Sequence, residues 1–367
     1  MSADARTPVQ AVDAAAYTIP TDQPESDGTL AWDATTIVVV EATAGGETGL
    51  GYTYAHPGTA DLVARSLAPV VQDKDALAVG EAWAAMVAAV RNQGRPGIAS
   101  TAISAVDTAL WDLKARLLGL PLAVALDAHH DAVPVYGSGG FCSYPLATLA
   151  EQLAGWVQAG IPRVKMKVAR HPDQDDGRLA AAREAIGPAT ELLVDANGAF
   201  SRKQALRWAH RYADAGVTWL EEPVSSDDLA GLRLLRDQGP AGMDIAAGEY
   251  GYDVGYFARM LEAQAVDCLQ ADVTRCGGFT GFRQAAALCD AAQVELSAHC
   301  APQLSTHACA AAWHVRDLEY FHDHVRIESL LFDGVLEPEP GGLLRPDRDR
   351  PGHGLALKRA DAARFAA

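Results

Sequence analysis

The chain has 367 residues, 49% of them hydrophobic and 21% charged, which fits a globular protein large enough for one barrel-sized core and a smaller domain. Its 30 basic and 47 acidic residues leave a net charge of −17. That balance argues against a nucleic-acid or anionic-membrane partner, but not against a small anion, because local lysines can override the global field. No run approaches the roughly 20 apolar residues of a membrane span, and Met1 to Asp13 lacks an apolar signal core.

The six cysteines, Cys142, Cys268, Cys276, Cys289, Cys300 and Cys309, show no close-pair metal spacing, and several sit in apolar runs as free buried thiols do. A cytoplasmic, reducing compartment is therefore expected.

In chain order, residues 1–130 read as an α+β module. Thr35–Glu41 and Gly49–Tyr54 are expected strands around an Ala44-Gly45-Gly46-Glu47 turn, preceded by a polar loop over Thr21–Asp33. Helices are expected over Val79–Asn92 and Ile98–Leu118, the second stopped by Gly119 and Pro121. From residue 131 a βα rhythm begins. Strands are expected at Ala132–Tyr136, Arg163–Val168, Glu191–Asp195, Val217–Glu221, Asp244–Gly248, Val266–Ala271, Val294–Ala298 and Leu318–Phe321. Amphipathic helical stretches such as Leu146–Ala159, Arg202–Ala215, Ala230–Asp237 and Phe282–Ala292 lie between them, and Gln303–His314 can be helical. Eight strands through residue 325 predict a parallel barrel, and the Pro/Gly-rich tail, 326–367, is expected to pack back on the first module.

A row of charged residues marks the ends of these strands. Lys165 and Lys167, Asp195, Glu221, Glu249, Asp272, His299 and Glu319 follow one another, from Lys167 onward, at steps of 28, 26, 28, 23, 27 and 20 residues. Strand ends of such a barrel converge on one mouth, so these side chains are expected in one pocket.

Alternation puts Lys165 and Lys167 on one strand face, opposite Val164, Met166 and Val168, and so inside the barrel. Two adjacent ammonium groups depress each other's proton affinity and favour a neutral amine that can act as a base; the competing reading is an exposed edge strand. Asp195, Glu221 and Glu249 offer an all-oxygen set that suits Mg²⁺ rather than Zn²⁺. Any one of them alone could equally be a helix cap or loop charge. Asp272 and His299 fall on neighbouring strands, where a carboxylate can fix an imidazole tautomer and raise its basicity, although a lone His is more often structural.

His322-Asp323-His324 is a weaker metal motif, with Asp323 facing the other way on a strand. The Arg275-Cys276-Gly277-Gly278 turn could hold an anion on backbone amides or merely shape a loop.

These residues, in this order and spacing, resemble the enolase superfamily, specifically its mandelate racemase-like branch. The Ala105–Asp112 helix (Ala-Val-Asp-Thr-Ala-Leu-Trp-Asp), Lys-x-Lys, Asp-Ala-Asn, Glu-Glu-Pro, Gly-Glu, the Asp before Gly-Gly and the late Ser-Ala-His carry the resemblance over nearly the whole chain. It implies an α/β fold: a modified TIM barrel, (β/α)7β, with an α+β N-terminal capping domain. It also implies Mg²⁺ on Asp195, Glu221 and Glu249, and carboxylate substrates, often hydroxy or sugar acids. Lys167 then looks like one acid/base catalyst with Lys165 near the substrate carboxylate, and the His299–Asp272 dyad looks like the catalyst on the opposite face. Glu319 matches the position that bonds that carboxylate. Asn197 matches a residue lining the site, and Tyr250 stands where the family often has Asn. Relatives commonly assemble as dimers to octamers, so a homo-oligomer is expected.

The implied chemistry is removal of a proton next to a carboxylate, with Mg²⁺ and Lys165 stabilising the ene-diolate. The superfamily's lysine or histidine base with Mg²⁺ is a pattern already known in general terms. Dehydration of an acid sugar to a 2-keto-3-deoxy acid is favoured, because the segment around Asp22, Gln23, Glu25, Ser26 and Asp27 and the residues Tyr54 and His56 are polar enough to meet hydroxyl groups. A racemase, epimerase or cycloisomerase would use the same catalysts. A Schiff-base aldolase would use a lysine as nucleophile but leave the three carboxylates unexplained, and a non-catalytic sugar-acid-binding protein would have no need of every charged position.

Overall fold

The computed structural model describes residues 6–367. Three strands, β1 (Ala11–Ser26), β2 (Ala31–Ala44) and β3 (Glu47–Tyr54), form an antiparallel meander. The β2–β3 turn is made by Gly45 and Gly46, both at positive φ. The loop expected over Thr21–Asp33 is mostly strand. β1 continues to Ser26, and after a register shift between Pro20 and Glu25 it pairs Glu25 with Trp32. Pro20 cannot donate to a ladder, so it is tolerated where the pairing breaks. The turn proper covers residues 27–30, where Asp27 Oδ1 accepts from both Thr29 N and Leu30 N at 2.6 Å.

The helix Ile98–Leu117 is buried at almost every position because it lies between two layers. On one side it runs against β3 so closely that a Cβ on Gly51 would sit 2.3 Å from Ala105 O, and one on Gly49 2.2 Å from Ala109 O. On the other side Trp111 Nε1 donates to Thr280 Oγ1 (3.0 Å), and Asp107 accepts from Thr280 N (3.0 Å) and its hydroxyl. This helix therefore fixes the cap on the barrel. The turn at Gly277 and Gly278 belongs to that docking: Ser104 Oγ accepts from Gly277 N at 2.9 Å, and a Cβ on Gly278 would meet Asp107.

The barrel consists of β4 (Val133–Gly139), β5 (Arg163–Lys167), β6 (Glu191–Asp195), β7 (Val217–Glu221), β8 (Asp244–Ala247), β9 (Cys268–Ala271), β10 (Glu295–Ala298) and β11 (Val315–Phe321). They pair in chain order, all parallel, and β11 closes on β4. Tyr136, Leu193, Trp219, Ala246 and Cys268 form a small core of their own inside the barrel. This plug fills the barrel beneath the charged layer. Helices lie between successive strands, among them Leu146–Gln158, Arg202–Asp214, Leu229–Gln238 and Gly278–Ala292. The segment before β11 is helical over Pro302–Ala310.

The tail touches both parts. Arg359 bonds Glu41, Ala367 N donates to Ala16 O (3.0 Å), and His353 Nε2 lies 2.7 Å from Leu50 O, all in the cap. Leu343–Leu344, however, pairs antiparallel with β4, so the tail also adds a ninth strand to the barrel sheet. No helix among the described residues is long and apolar enough to cross a membrane.

Candidate active site

Strand register brings the acids and lysines to one level. Lys167 stands beside Asp195, and Asp195 beside Glu221, on three adjacent strands. Val164 and Met166 face the covering helices while both lysines point inward, so the reading of β5 as an exposed edge does not hold. Lys165 Nζ lies 2.6 Å from Glu221 Oε2, 2.9 Å from Glu319 Oε1 and 3.9 Å from Asp195 Oδ2. Lys167 Nζ pairs with Asp195 Oδ2.

These contacts correct one expectation. Burial would lower the proton affinity of both lysines, but Glu221 and Glu319 hold Lys165 well above its ordinary value, and Asp195 raises Lys167 even though Lys165 opposes it. Attraction to the carboxylates outweighs the mutual repulsion of the two ammonium groups.

Ligand atoms of Asp195, Glu221 and Glu249 lie within 4.8 Å of one another, all buried. Glu221 Oε1 and Glu249 Oε2 are buried without a hydrogen-bond partner. Orphaned carboxylate oxygens are costly unless something positive faces them, and three hard oxygen donors suit Mg²⁺. Burial, and then the charge of Asp195, push the Glu221 carboxyl up to about 8, whereas Lys167 and Lys165 overcome burial at Asp195 and hold it below the usual range. Glu222, left-handed at φ 38°, is also buried; burial and then Glu249 raise it well above the usual range.

His299 follows β10 and Asp272 follows β9, with Nδ1 of the imidazole 2.8 Å from Asp272 Oδ2. Nε2 of the ring is 3.5 Å from Glu249 Oε2 and 3.6 Å from Glu319 Oε2. Burial opposes charge on His299, yet Glu249 and Glu319 raise it on balance; burial likewise opposes charge on Asp272, which the bond to His299 holds low. Glu319 links the two halves of the site. Its Oε1 meets Lys165 Nζ and accepts from Ser138 Oγ (2.6 Å), while Oε2 accepts from Cys300 N at 3.3 Å.

The four residues expected to line the substrate diverge. Asn197 N and Nδ2 donate to Asp195 at 2.8 and 3.2 Å, and its own Oδ1 is buried and unpartnered. Tyr250 is 43% exposed, its ring under the Arg275 guanidinium at 5.3 Å. Tyr54 stacks on His324 with centroids 3.4 Å apart, and its hydroxyl lies 3.4 Å from Glu328 Oε1. His56 is different: it is exposed, and its Nδ1 accepts from Gly58 N (3.1 Å), which turns the ring back on its own loop.

The paired histidines also diverge. His322 begins a helix (His322–Leu331), so alternate residues part, with His322 Nε2 on Asp22 (3.0 Å) and His324 Nδ1 accepting from Ala301 N (3.2 Å). The geometry adds Arg275, which bonds Glu249 Oε1 (3.2 Å) and approaches Asp272 Oδ2 (3.4 Å), and Cys300, whose Sγ is 3.3 Å from His299 Nε2. Arg275 stood out in the sequence only within a turn that could hold an anion, and Cys300 only by adjoining His299.

Residues 14–126 match the model of the mandelate racemase/muconate lactonizing enzyme N-terminal domain, and residues 148–362 match the enolase C-terminal domain-like model. A mandelate racemase/muconate lactonizing enzyme-like protein of Rubrobacter xylanophilus superposes with a TM-score of 0.96 at 59% identity, over 98% of this chain and 100% of that one. The 3,6-anhydro-alpha-L-galactonate cycloisomerase of Streptomyces coelicolor is 35% identical over 323 residues, 85% of this chain and 86% of that protein. The L-talarate/galactarate dehydratase of Salmonella typhimurium is 32% identical over 86% of this chain and 78% of its own length. Its structure with Mg and L-lyxarohydroxamate superposes with a TM-score of 0.90, over 100% of this chain and 95% of that one. With cap and barrel both matched, the chain belongs to the mandelate racemase/muconate lactonizing enzyme family of the enolase superfamily.

Proposed function

We propose that this enzyme is a Mg²⁺-dependent acid-sugar dehydratase that removes the proton next to the substrate carboxylate and expels a β-hydroxyl, giving a 2-keto-3-deoxy acid. The observation that carries the reading is Glu319 standing between Lys165 and His299, with Lys167 and three clustered carboxylates, two of them with an unpartnered oxygen, in the same pocket. Asp195, Glu221 and Glu249 would hold Mg²⁺, which when bound would supply positive charge against the negative charge that develops on the substrate's carboxylate oxygens.

Lys165, fully buried, faces the same carboxylate as a fixed positive charge, and Glu319 bonds and orients it. Lys167, one turn of the pleat nearer the mouth, holds or takes a proton at Nζ on one side of the substrate. His299 does so at Nε2 on the other side, from a strand separated from β5 by β11 and β4. Asp272 fixes the tautomer: bonded to Nδ1, it leaves Nε2 facing the pocket. For dehydration, protonated His299 would hand its proton to the departing hydroxyl. The dehydratase among the relatives supports this outcome.

A second reading, cycloisomerisation or epimerisation, uses the same two catalysts and is supported by the cycloisomerase relative. Schiff-base chemistry is disfavoured because Lys165 Nζ is fully buried and enclosed between Glu221 and Glu319, which leaves no open approach for a substrate carbonyl. The test is incubation with a panel of sugar acids and Mg²⁺. Formation of a 2-keto acid from at least one supports dehydration, and C2 deuterium uptake from D₂O without keto acid moves the assignment to an isomerase.

A further inference from the structure

β10 ends at Ala298, and the two residues after it would point to opposite faces if the strand continued. It does not continue. Cys300 and Ala301 both take left-handed backbone, at φ 51° and 44°, a conformation that L side chains seldom adopt. Hydrogen bonds hold this turn: Ser305 Oγ donates to Cys300 O (2.7 Å), and Ala301 N donates to His324 Nδ1 (3.2 Å). The Cys300 thiol is thereby brought to the same side as the His299 imidazole, against Glu319 of β11.

Three ligand atoms of different kinds meet there. Cys300 Sγ lies 3.3 Å from His299 Nε2 and 3.3 Å from Glu319 Oε2, and Nε2 lies 3.6 Å from the same oxygen, with all three residues buried. Zinc bonds of about 2.0–2.3 Å at the tetrahedral angle put ligand atoms roughly 3.3–3.6 Å apart, so this triangle has the dimensions of one face of a zinc site. Two of the ligands are oriented from behind. Asp272 holds Nδ1 of the imidazole at 2.8 Å, the carboxylate–histidine pairing that fixes metal-binding imidazoles. Glu319 engages Lys165 and Ser138 through Oε1, which leaves Oε2 toward the thiol. One nitrogen, one sulfur and one oxygen suit Zn²⁺, whereas the all-oxygen trio of Asp195, Glu221 and Glu249 suits Mg²⁺. The dehydration described above gives the Cys300 thiol no step.

We propose that His299, Cys300 and Glu319 form a second cation site, selective for a thiophilic divalent ion of the Zn²⁺ class and separate from the Mg²⁺ carboxylates, and that its occupation switches the enzyme off. The ion takes Nε2, Sγ and Oε2, and the thiol proton passes to solvent as the thiolate–metal bond forms. A water fills the fourth position. The switching rests on the reading of His299 as an acid/base catalyst, because Nε2 bound to a metal can neither take nor give a proton; the cation site itself does not depend on it.

The test titrates the Mg²⁺-loaded protein with Zn²⁺ while Mg²⁺ is kept in large excess. Bound zinc is counted by equilibrium dialysis and located by anomalous difference maps recorded on either side of the zinc absorption edge. One zinc per chain among His299, Cys300 and Glu319 is expected, with Cys300→Ser weakening it at least about tenfold. Co²⁺ in its place is expected to give a thiolate-to-metal charge-transfer band that Cys300→Ser lacks. Zinc found only among Asp195, Glu221 and Glu249, or no bound zinc, overturns the proposal in the unaltered protein, whether or not the variant folds. An unchanged affinity in folded Cys300→Ser does the same. Loss of turnover and of C2 exchange on zinc binding, unrelieved by more Mg²⁺, supports the switch. Zinc seated on the three residues while turnover continues overturns the switch and the catalytic role of His299 together. An absent zinc site beside normal Mg²⁺-dependent turnover overturns this proposal alone and leaves the acid-sugar reading intact.

Discussion

Asp272 and His299 form the most completely supported contact in the site. Asp272 Oδ2 meets the imidazole at 2.8 Å, while Oδ1 accepts from Thr274 N and Thr274 Oγ1, both at 2.7 Å. The carboxylate is thus held from behind by its own turn, and the ring cannot swing without breaking that arrangement. Asp272→Asn keeps the shape but loses the charge and the enforced tautomer. Turnover is expected to fall by about 10² to 10⁴, the scale of a lost general acid/base, with KM little changed. A loss under about tenfold would remove Asp272 from its positioning role.

Lys167→Ala and His299→Asn should each stop net turnover while Mg²⁺ binding survives. Deuterium uptake at C2 distinguishes them, because only the variant that retains the base for a given substrate still exchanges. Turnover retained in both variants would refute the assigned roles.

Metal binding should appear as stability. At about 100 times its Kd, Mg²⁺ adds about 2.7 kcal/mol to unfolding. Glu221→Gln and Glu249→Gln are expected to lose that increment and Lys167→Ala to keep it, read by thermal unfolding with and without Mg²⁺. EDTA should abolish turnover reversibly.

Asp112 ties the cap to the tail. Fully buried, it accepts from Leu50 N (2.9 Å), Arg116 Nε (2.7 Å) and His353 N (2.8 Å). Asp112→Ala leaves those donors unpaired, Arg116 among them, and should cost about 3–5 kcal/mol. Urea unfolding would register it as a lower midpoint at unchanged slope; a shift worth under about 1 kcal/mol would contradict the structural role.

Two buried imidazoles predict acid sensitivity. Burial, and then neighbouring His353, lower His307 to about 3, and burial lowers His353. The folded form therefore binds these protons more weakly than the unfolded chain. Stability from each is complete above the unfolded value of about 6.5 and is lost as pH falls from there toward the folded value, at up to about 1.4 kcal/mol per pH unit per group. His307→Leu should flatten that slope, measured by urea unfolding across about pH 6 to 4; an unchanged slope would contradict it.

Much of the barrel was legible because every strand after β4 ends on or close to a charge. Glu191–Asp195 and Val217–Glu221 occur over the expected residues, and Lys165 and Lys167 face inward as alternation requires. Other features depend on contacts distant in sequence. The stretch Thr21–Ser26 reads as loop from its Pro, Asp and Ser content, yet pairing with Trp32 and docking on the barrel hold most of it in β1. Ionic state was misjudged at the lysines, since the depression expected from two neighbouring cations is reversed by Glu221, Glu319 and Asp195, which arrive from other strands. His56 looked suited to substrate by type, but its loop turns it outward, and the left-handed backbone at Cys300 that sets the thiol beside His299 has no signature in residue type.

The most direct test of the account is a crystal structure of the protein soaked with Mn²⁺ in place of Mg²⁺, read from the anomalous difference map. The account predicts one strong peak enclosed by Asp195, Glu221 and Glu249, within the pocket that holds Lys165, Lys167 and His299. A peak instead among Asp22, Glu25 and His322, or none between the three strand-end carboxylates, would contradict it.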